Sequence, residues 1–532
     1  MAPRRDLISR YGIPICLISL ALAGALLWLT ADGPVRRLLV NTFVLCGSSA
    51  AISLPMGMLL AILLTRTNVA GKNLAWLLLL TLLFLPLHST ATGWVAVFGK
   101  LGSQAPSFFQ TAQPIISGMP AVIWIHAMAA IPWVTLIISL GLSAIPQEVE
   151  EAALLDLSPP RFFLRVGLRY YLPFILAAGL WVIIAASGEM TVTNLYMVPT
   201  YAEELYNSVA QGGDAPTAGL KLLPGIGGAV LLATAICGMI AALLPMGLGK
   251  RFVQPRVYEL RSWRWLLSTA AWSLLLLVFG MPLASLVFKA GMVKQSLGDD
   301  FSRSWSPAAF LNMVFAMPYR FRAEFWYSIL FALDGAAVAL IAALPLAALA
   351  RRGRTCTVPA LATAAICWAI PGPLVGMSIS WLLNWNYAPL IYLYDKTPLA
   401  PALAMGIKAL PITVLLLWTA FASIPQQTLE AARLDGTNEL TLLFRVILPQ
   451  RITAIAAAGV IAFAIGLADL AWSILVLPPG METVQRRVFG LIHYGVEEQV
   501  AGVSLTTLGL FFVLALGIQK LWARRLAARK PT

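Results

Sequence analysis

Apolar residues run through this chain in blocks separated by short polar stretches, and a membrane-crossing helix needs roughly 20 such residues. Six blocks are expected to span in the first half, near 12–30, 39–64, 74–98, 118–142, 172–193 and 219–247. Six more follow near 264–289, 327–350, 359–383, 399–422, 450–477 and 500–522. The expected fold is therefore all-α, a polytopic membrane protein of about twelve transmembrane helices. The opening MAPRRDLISR and the apolar run to Leu29 look like a signal sequence. That run is too long for a cleaved h-region and lacks a small-residue cleavage site, so it reads as the first span.

One polar island stands out, IPQQTLEAARLDGTNELTLLFRVILP from Ile424 to Pro449. Pro425 suits a first helical turn, where a missing N–H costs nothing. Glu430, Ala431 and Ala432 continue that helix, and the alanines leave a face that another protein can approach closely. Gly436 breaks the helix, because glycine enters left-handed backbone cheaply. Leu440, Leu443 and Phe444 then mark a second amphipathic helix, and Leu448-Pro449 leads into the next apolar block.

The island occurs twice. From Ile145 to Pro173 the chain reads IPQEVEEAALLDLSPPRFFLRVGLRYYLP, placing Glu151, Ala152, Ala153 and Asp156 opposite Glu430, Ala431, Ala432 and Asp435 at an offset of 279. Pro86 pairs with Pro371, Pro132 with Pro411, and Glu189 with Asp469 at a similar separation. Two parallel repeats about an axis along the membrane normal are expected. The first is 1–250 with the polar segment 145–173, and the second 251–532 with 424–449. The stretch 290–326 has no counterpart and reads as an external amphipathic cap.

Composition agrees. The chain is 59% hydrophobic and 11% charged with a net charge of +14. Its Lys and Arg cluster at the ends of apolar blocks, as at Arg4-Arg5, Arg66, Lys250-Arg251, Arg351-Arg352 and Arg524-Arg525. That is the positive-inside pattern and not a nucleic-acid face. With twelve spans these residues, both polar islands and both termini share the cytoplasmic side, while Arg36 and Arg37 fall outside. The five cysteines form no CxxC pair, which points to inert thiols and not to a disulfide framework or zinc site.

At the second island the resemblance becomes specific. The chain is similar to a fused, two-in-one permease of the binding-protein-dependent ATP-binding-cassette importers, whose cytoplasmic loop reads EAA, three residues, G, nine residues, I-x-LP. Glu430-Ala431-Ala432, Gly436 and Leu448-Pro449 fall at that spacing, with Val446 for Ile. The first copy departs: Leu157 replaces the glycine, Gly167 stands at the Ile position, and Leu172-Pro173 arrives three residues late. Ser158-Pro159-Pro160 is expected to restore the break, with Ser as N-cap.

The resemblance implies that each loop presents a short helix to a cytosolic ATPase subunit. It implies two such subunits, an extracytoplasmic substrate-binding protein and a home in a bacterial inner membrane. The residues assigned to ATPase coupling are Glu151, Ala152, Ala153, Asp156, Glu430, Ala431, Ala432, Asp435 and Gly436. Length, layout and the external run VPTYAEELY resemble the ferric-iron branch; the fused thiamine permeases share the layout. No Walker A, GxSxG or HExxH pattern occurs, so neither a catalytic residue nor a cofactor is expected, and ATP hydrolysis falls to another chain.

Glu189 and Asp469 lie near the outer ends of their spans, where an acid either lines a translocation path or caps a helix at the water boundary. An ion-coupled secondary transporter using these acids is the rival from another class. Lys408 has the same ambiguity, facing a cavity or snorkelling. His88, His126 and His493 are far apart in sequence and suit packed or interfacial roles better than a shared metal site. The run from Val198 and its equivalent from Glu482 suit either a binding-protein dock or interfacial helices.

Overall fold

The computed structural model describes residues 32–99, 114–210, 256–297 and 300–527, with a few isolated positions elsewhere. The spans expected at 12–30 and 219–247, the repeat boundary at 250/251, and Cys16 and Cys237 lie essentially outside the described residues. The chain is a helical polytopic membrane protein. Among the described residues seven helices are long and apolar enough to cross a membrane, and three bent pairs bring the total to ten.

Helix α1 (Gly33–Arg66) is followed by the pair α2 (Lys72–Phe84) and α3 (Leu87–Phe98), then α4 (Gly118–Ser143). The short α5 (Gln147–Leu154) precedes α6 (Pro159–Ser187), then α7 (Thr191–Leu195) and α8 (Tyr201–Ala210). Next come α9 (Arg261–Ala290), a hairpin of β1 (Met292–Leu297) and β2 (Asp300–Trp305), and α10 (Pro307–Arg320). The order of the first part then recurs. Helix α11 (Arg322–Arg351) matches α1, the pair α12 (Arg354–Ala369) and α13 (Gly372–Leu383) matches α2–α3, and the short α14 (Ala388–Lys396) follows them. Helices α15 (Leu399–Ala422) and α16 (Gln426–Leu434) match α4 and α5; α17 (Glu439–Gln450) and α18 (Ile452–Leu467) together match α6. Helix α19 (Val484–His493) and the long α20 (Glu497–Ala527) complete the order.

The repeated proline positions have a local cause. Leu85 and Ile370 adopt extended backbone because a following proline disfavours the helical region. The two pairs therefore bend by 106° and 97° at equivalent places. Helices α1 and α4 approach closely at Gly57, where an added Cβ would lie 2.5 Å from Val134. The equivalent pair α11–α15 touches at Gly335 and Gly406. Small residues of this kind let membrane helices pack without a hydrophobic driving force.

Several expectations shift. The span expected at 172–193 belongs to a helix that starts at Pro159, so Leu172-Pro173 lies inside α6 and is not the counterpart of Leu448-Pro449. Both π-type stretches, Phe163–Gly167 and Leu442–Ile447, sit at the same place in the repeat and align Gly167 with Ile447. The span expected at 450–477 ends at Leu467, and turns follow. The stretch 290–326 is a β-hairpin before an amphipathic helix, with Met292 paired to Trp305, and α10 packs on α20.

The halves also interlock. Ser285 on α9 donates to the Gly93 carbonyl of α3 at 2.7 Å, and Lys289 pairs with Glu497 of α20. Gln519 on α20 donates to the Asn73 carbonyl at 3.0 Å. Helices that follow the connector thus embrace the bent pair that precedes it.

Candidate functional site

Both polar islands emerge at one end of the molecule. Helices α6 and α12 run side by side in the same sense, because Trp181 meets Trp368 with ring centres 4.3 Å apart and Gly188 abuts Pro371. The start of α6 adjoins the first island. The start of α12 packs on the second, where Ala360, Leu361, Phe421 and Leu429 share one cluster.

Each island is a helix, a break and a second helix. On α5, Glu151 and Ala152 are exposed and Ala153 is half-buried; on α16, Glu430 and Ala431 are exposed and Ala432 is half-buried. Asp156, Asp435 and Gly436 are exposed in the breaks. Leu155 and Leu434 stand at the matching helix ends with 86% and 88% of their surface open, beside exposed Leu164 and Phe444. An apolar knob next to a carboxylate on a small-residue helix is a surface suited to a protein partner.

The two breaks are made differently. Gly436 takes φ 77, and Thr437 N–H closes on the Ala432 carbonyl at 3.3 Å, a left-handed C-terminal cap. Leu157 needs no such angle; its N–H bonds Ala153 O at 2.9 Å within ordinary backbone. Asn438 caps the next helix by accepting from Thr441 N–H at 2.7 Å. Ser158 occupies the N-cap position but its side chain makes no cap bond. Pro160, at the second helical position, lacks one of the two N–H groups that such a bond would serve.

Glu150, one residue before the predicted Glu151, points the other way. Its Oε2 lies 2.8 Å from Arg66 Nη1, with the two side chains 2% and 1% exposed, and the Tyr258 hydroxyl donates to its other oxygen. Burial, and then the bond to Glu150, push the Tyr258 phenol above its ordinary pKa, so it stays a donor. The Phe163 ring covers the Arg66 guanidinium at 5.7 Å. Sequence reasoning missed this cluster. The signal was available: the repeat places Leu429 opposite Glu150, so an acid occupies an inward-facing position that is apolar in the other copy.

At mid-molecule the two halves enclose a cavity of about 260 Å³ beside the bends at Pro86 and Pro371. Trp133, Trp181 and Trp368 form a connected wall, with Trp133 and Trp181 4.7 Å apart. Glu189 and Lys408 line it, so Lys408 faces the cavity. Glu189 accepts from the N–H groups of Thr191 and Val192 at 2.6 and 3.0 Å, and lies 3.4 Å from His126 Nε2. Asp469, fully buried, pairs with Lys408 at 2.9 Å and accepts from Ser473 N–H at 2.9 Å. Each acid thus caps the turn after its span and pairs with a base from the matching helix, α4 or α15. Glu189 both caps a helix and lines the cavity, whereas Asp469 caps a helix and reaches the cavity only through Lys408.

The remaining histidines have separate partners. His88 Nε2 meets Gln485 Oε1 at 2.5 Å across the halves, and His493 Nε2 meets Asn194 Oδ1 at 3.0 Å. Among the described residues no group of three or more His, Cys, Asp or Glu could hold a metal ion. Cys46, Cys356 and Cys367 are free.

The spermidine/putrescine transport system permease protein PotC of Escherichia coli (strain K12) is 28% identical over 110 residues, 21% of this chain and 42% of that protein. The protein of the same name from Haemophilus influenzae is 30% identical over 107 residues, covering 20% of this chain and 41% of its own length. The chain thus spans less than half the length of the curated relatives it matches. Residues 335–529, from the middle of α11 through α20, match the family profile described as "Binding-protein-dependent transport system inner membrane component".

Proposed function

We propose that this chain is the permease subunit of an ATP-driven, binding-protein-dependent importer, with both of its repeats in one polypeptide. The observation that carries it is the pair of exposed Glu-Ala-Ala helices, α5 and α16, each ending in a break and an apolar knob at the same end of the bundle. In this reading each receives one ATPase subunit, Glu151 and Glu430 meet basic residues there, and both termini lie in the cytoplasm. Closure of the two ATPases tilts α6 and α17–α18 and opens the cavity in turn to either side. A binding protein delivers solute at the opposite end, near α8 and α19. Co-expression with a candidate ATPase, followed by affinity purification, tests this reading; a chain that retains no ATPase under any nucleotide condition would sink it.

For the solute, the layout and the VPTYAEELY run support ferric iron, whereas the relatives are named for spermidine and putrescine. The cavity favours a small organic cation, a class that also contains thiamine, since tryptophan faces and the Glu189 carboxylate attract ammonium groups while Asp469 balances the charge of Lys408. Uptake of radiolabelled spermidine, thiamine and ferric iron into proteoliposomes that contain the full assembly separates the three. Iron alone entering would reverse the preference. Ion-coupled transport through Glu189 and Asp469 predicts instead that an uncoupler abolishes uptake while ATP is held constant.

A further inference from the structure

The connector that leads into the second half does not hang free. Tyr258 N–H donates to the Arg66 carbonyl at 2.7 Å, and Leu260 N–H to Asn68 Oδ1 at 3.0 Å. Arg264 Nε then reaches Asn68 O at 3.1 Å, and Ala70 N–H donates to Ser268 Oγ at 3.1 Å. Trp272 Nε1 closes the series on Ala70 O at 2.9 Å. The first three turns of α9 are therefore stitched along the α1–α2 loop. The stitching continues through Arg66 and the Tyr258 hydroxyl to Glu150 on α5.

Resting on the permease reading, we propose that Arg66, Glu150 and Tyr258 are positioning residues that fasten the first coupling helix, α5, to the first helix of the other half, α9. A push on α5 then moves α1 and α9 together, and through the contact of α9 with α3 and α20 it crosses the boundary between repeats. Three features support this. The Arg66–Glu150 pair is buried on both sides, so breaking it strands a charge and separation of the elements is costly. The contacts form one unbroken series from α5 to α9. Among the described residues the second half has no equivalent: Leu429 replaces Glu150, and Arg351 stands where the first half has Arg66.

Amide exchange on the full chain in lipid nanodiscs tests the tie in both directions. Glu150→Gln, read at 261–268, is expected to speed exchange by about a hundredfold, because Arg66 is left buried without its anion. Ser268→Ala, a milder change at the far end, should speed exchange of Gln147–Leu154 about three- to tenfold, the effect of losing one hydrogen bond. Exchange across Arg322–Arg351 should stay at the wild-type rate in both. Acceleration confined to the mutated element overturns the proposal, as does uniform acceleration that includes Arg322–Arg351. The measurement uses no ATPase, so failure of the chain to capture one would defeat the permease reading while the exchange data still decide the tie.

Discussion

The first and second polar islands present nearly the same outer surface on different foundations. On α5 and α16 the exposed Glu, the two alanines and the terminal leucine recur at an offset of 279. Beneath α5 lies a buried ion pair that a tyrosine from the connector completes. Beneath α16 lies an apolar cluster around Leu429, and its ion pairs, Arg352–Glu439 and Arg433–Glu439, are close to half exposed. Exposed pairs contribute about 0 to 1 kcal/mol, whereas a buried pair is costly to break. The shared surface speaks for a shared kind of partner. On the coupling role proposed for α5 and α16, the different foundations predict that a push passes through unequal connections in the two halves.

The largest effect should come from removing what the islands share. Glu151→Arg combined with Glu430→Arg is expected to weaken capture of the ATPase by about a hundredfold or more, since like charges facing across an interface cost several kcal/mol. Normal capture by the double variant in a pull-down would mean that these carboxylates do not face the partner. Next comes the feature that the islands do not share. Arg66→Met strands Glu150 and should destabilise the chain by about 3–5 kcal/mol, seen as a large fall in apparent melting temperature in detergent. Arg351→Met, at the matching position, should stay within about 1 kcal/mol of wild type. Adding Glu150→Leu to Arg66→Met, which removes both charges together, should recover most of the loss; failure to recover would show that the foundation is not the pair itself.

The cavity sharpens the same contrast. Lys408→Met leaves Asp469 buried without its cation, but the lysine side chain is 27% exposed, so the pair counts for less than a fully buried one and the penalty should be about 2–3 kcal/mol. The double variant with Asp469→Asn should return close to wild type. His126→Leu should cost less, because Glu189 keeps two backbone donors. Equal losses for Lys408→Met and His126→Leu would contradict the different bonding of the two acids.

Much of the architecture was legible because it depends on patterns that local physics fixes. Blocks of about 20 apolar residues mark spans wherever backbone groups must be satisfied within the segment, and prolines at 86 and 371 mark bends. Gly436 announced a left-handed break. Leu157 gave no such sign, and the matching break was marked instead by Ser158-Pro159-Pro160, although the serine side chain makes no cap bond. The start of α6 was misplaced because Pro173 reads as a helix boundary, yet it is tolerated inside a membrane helix. The Arg66–Glu150–Tyr258 cluster joins residues 84 to 192 positions apart, and no periodicity reports such a pairing. His126 opposite Glu189 was hidden for the same reason.

The smallest expected effect concerns how the helices after the breaks begin. Asn438 accepts from the Thr441 N–H and supplies one of the bonds that a helix start otherwise lacks. Asn438→Ala should therefore cost about 1 kcal/mol, read as faster amide exchange in 439–447. Ser158 holds the same position without that bond, and Pro159 fixes the first helical φ angle unaided. Ser158→Ala should leave exchange in 159–167 unchanged, whereas Pro159→Ala should raise it by restoring a free N–H and a floppier unfolded chain. A cost for Ser158→Ala as large as that for Asn438→Ala would mean that the serine caps after all, and that the two breaks rest on one device where the structure has two.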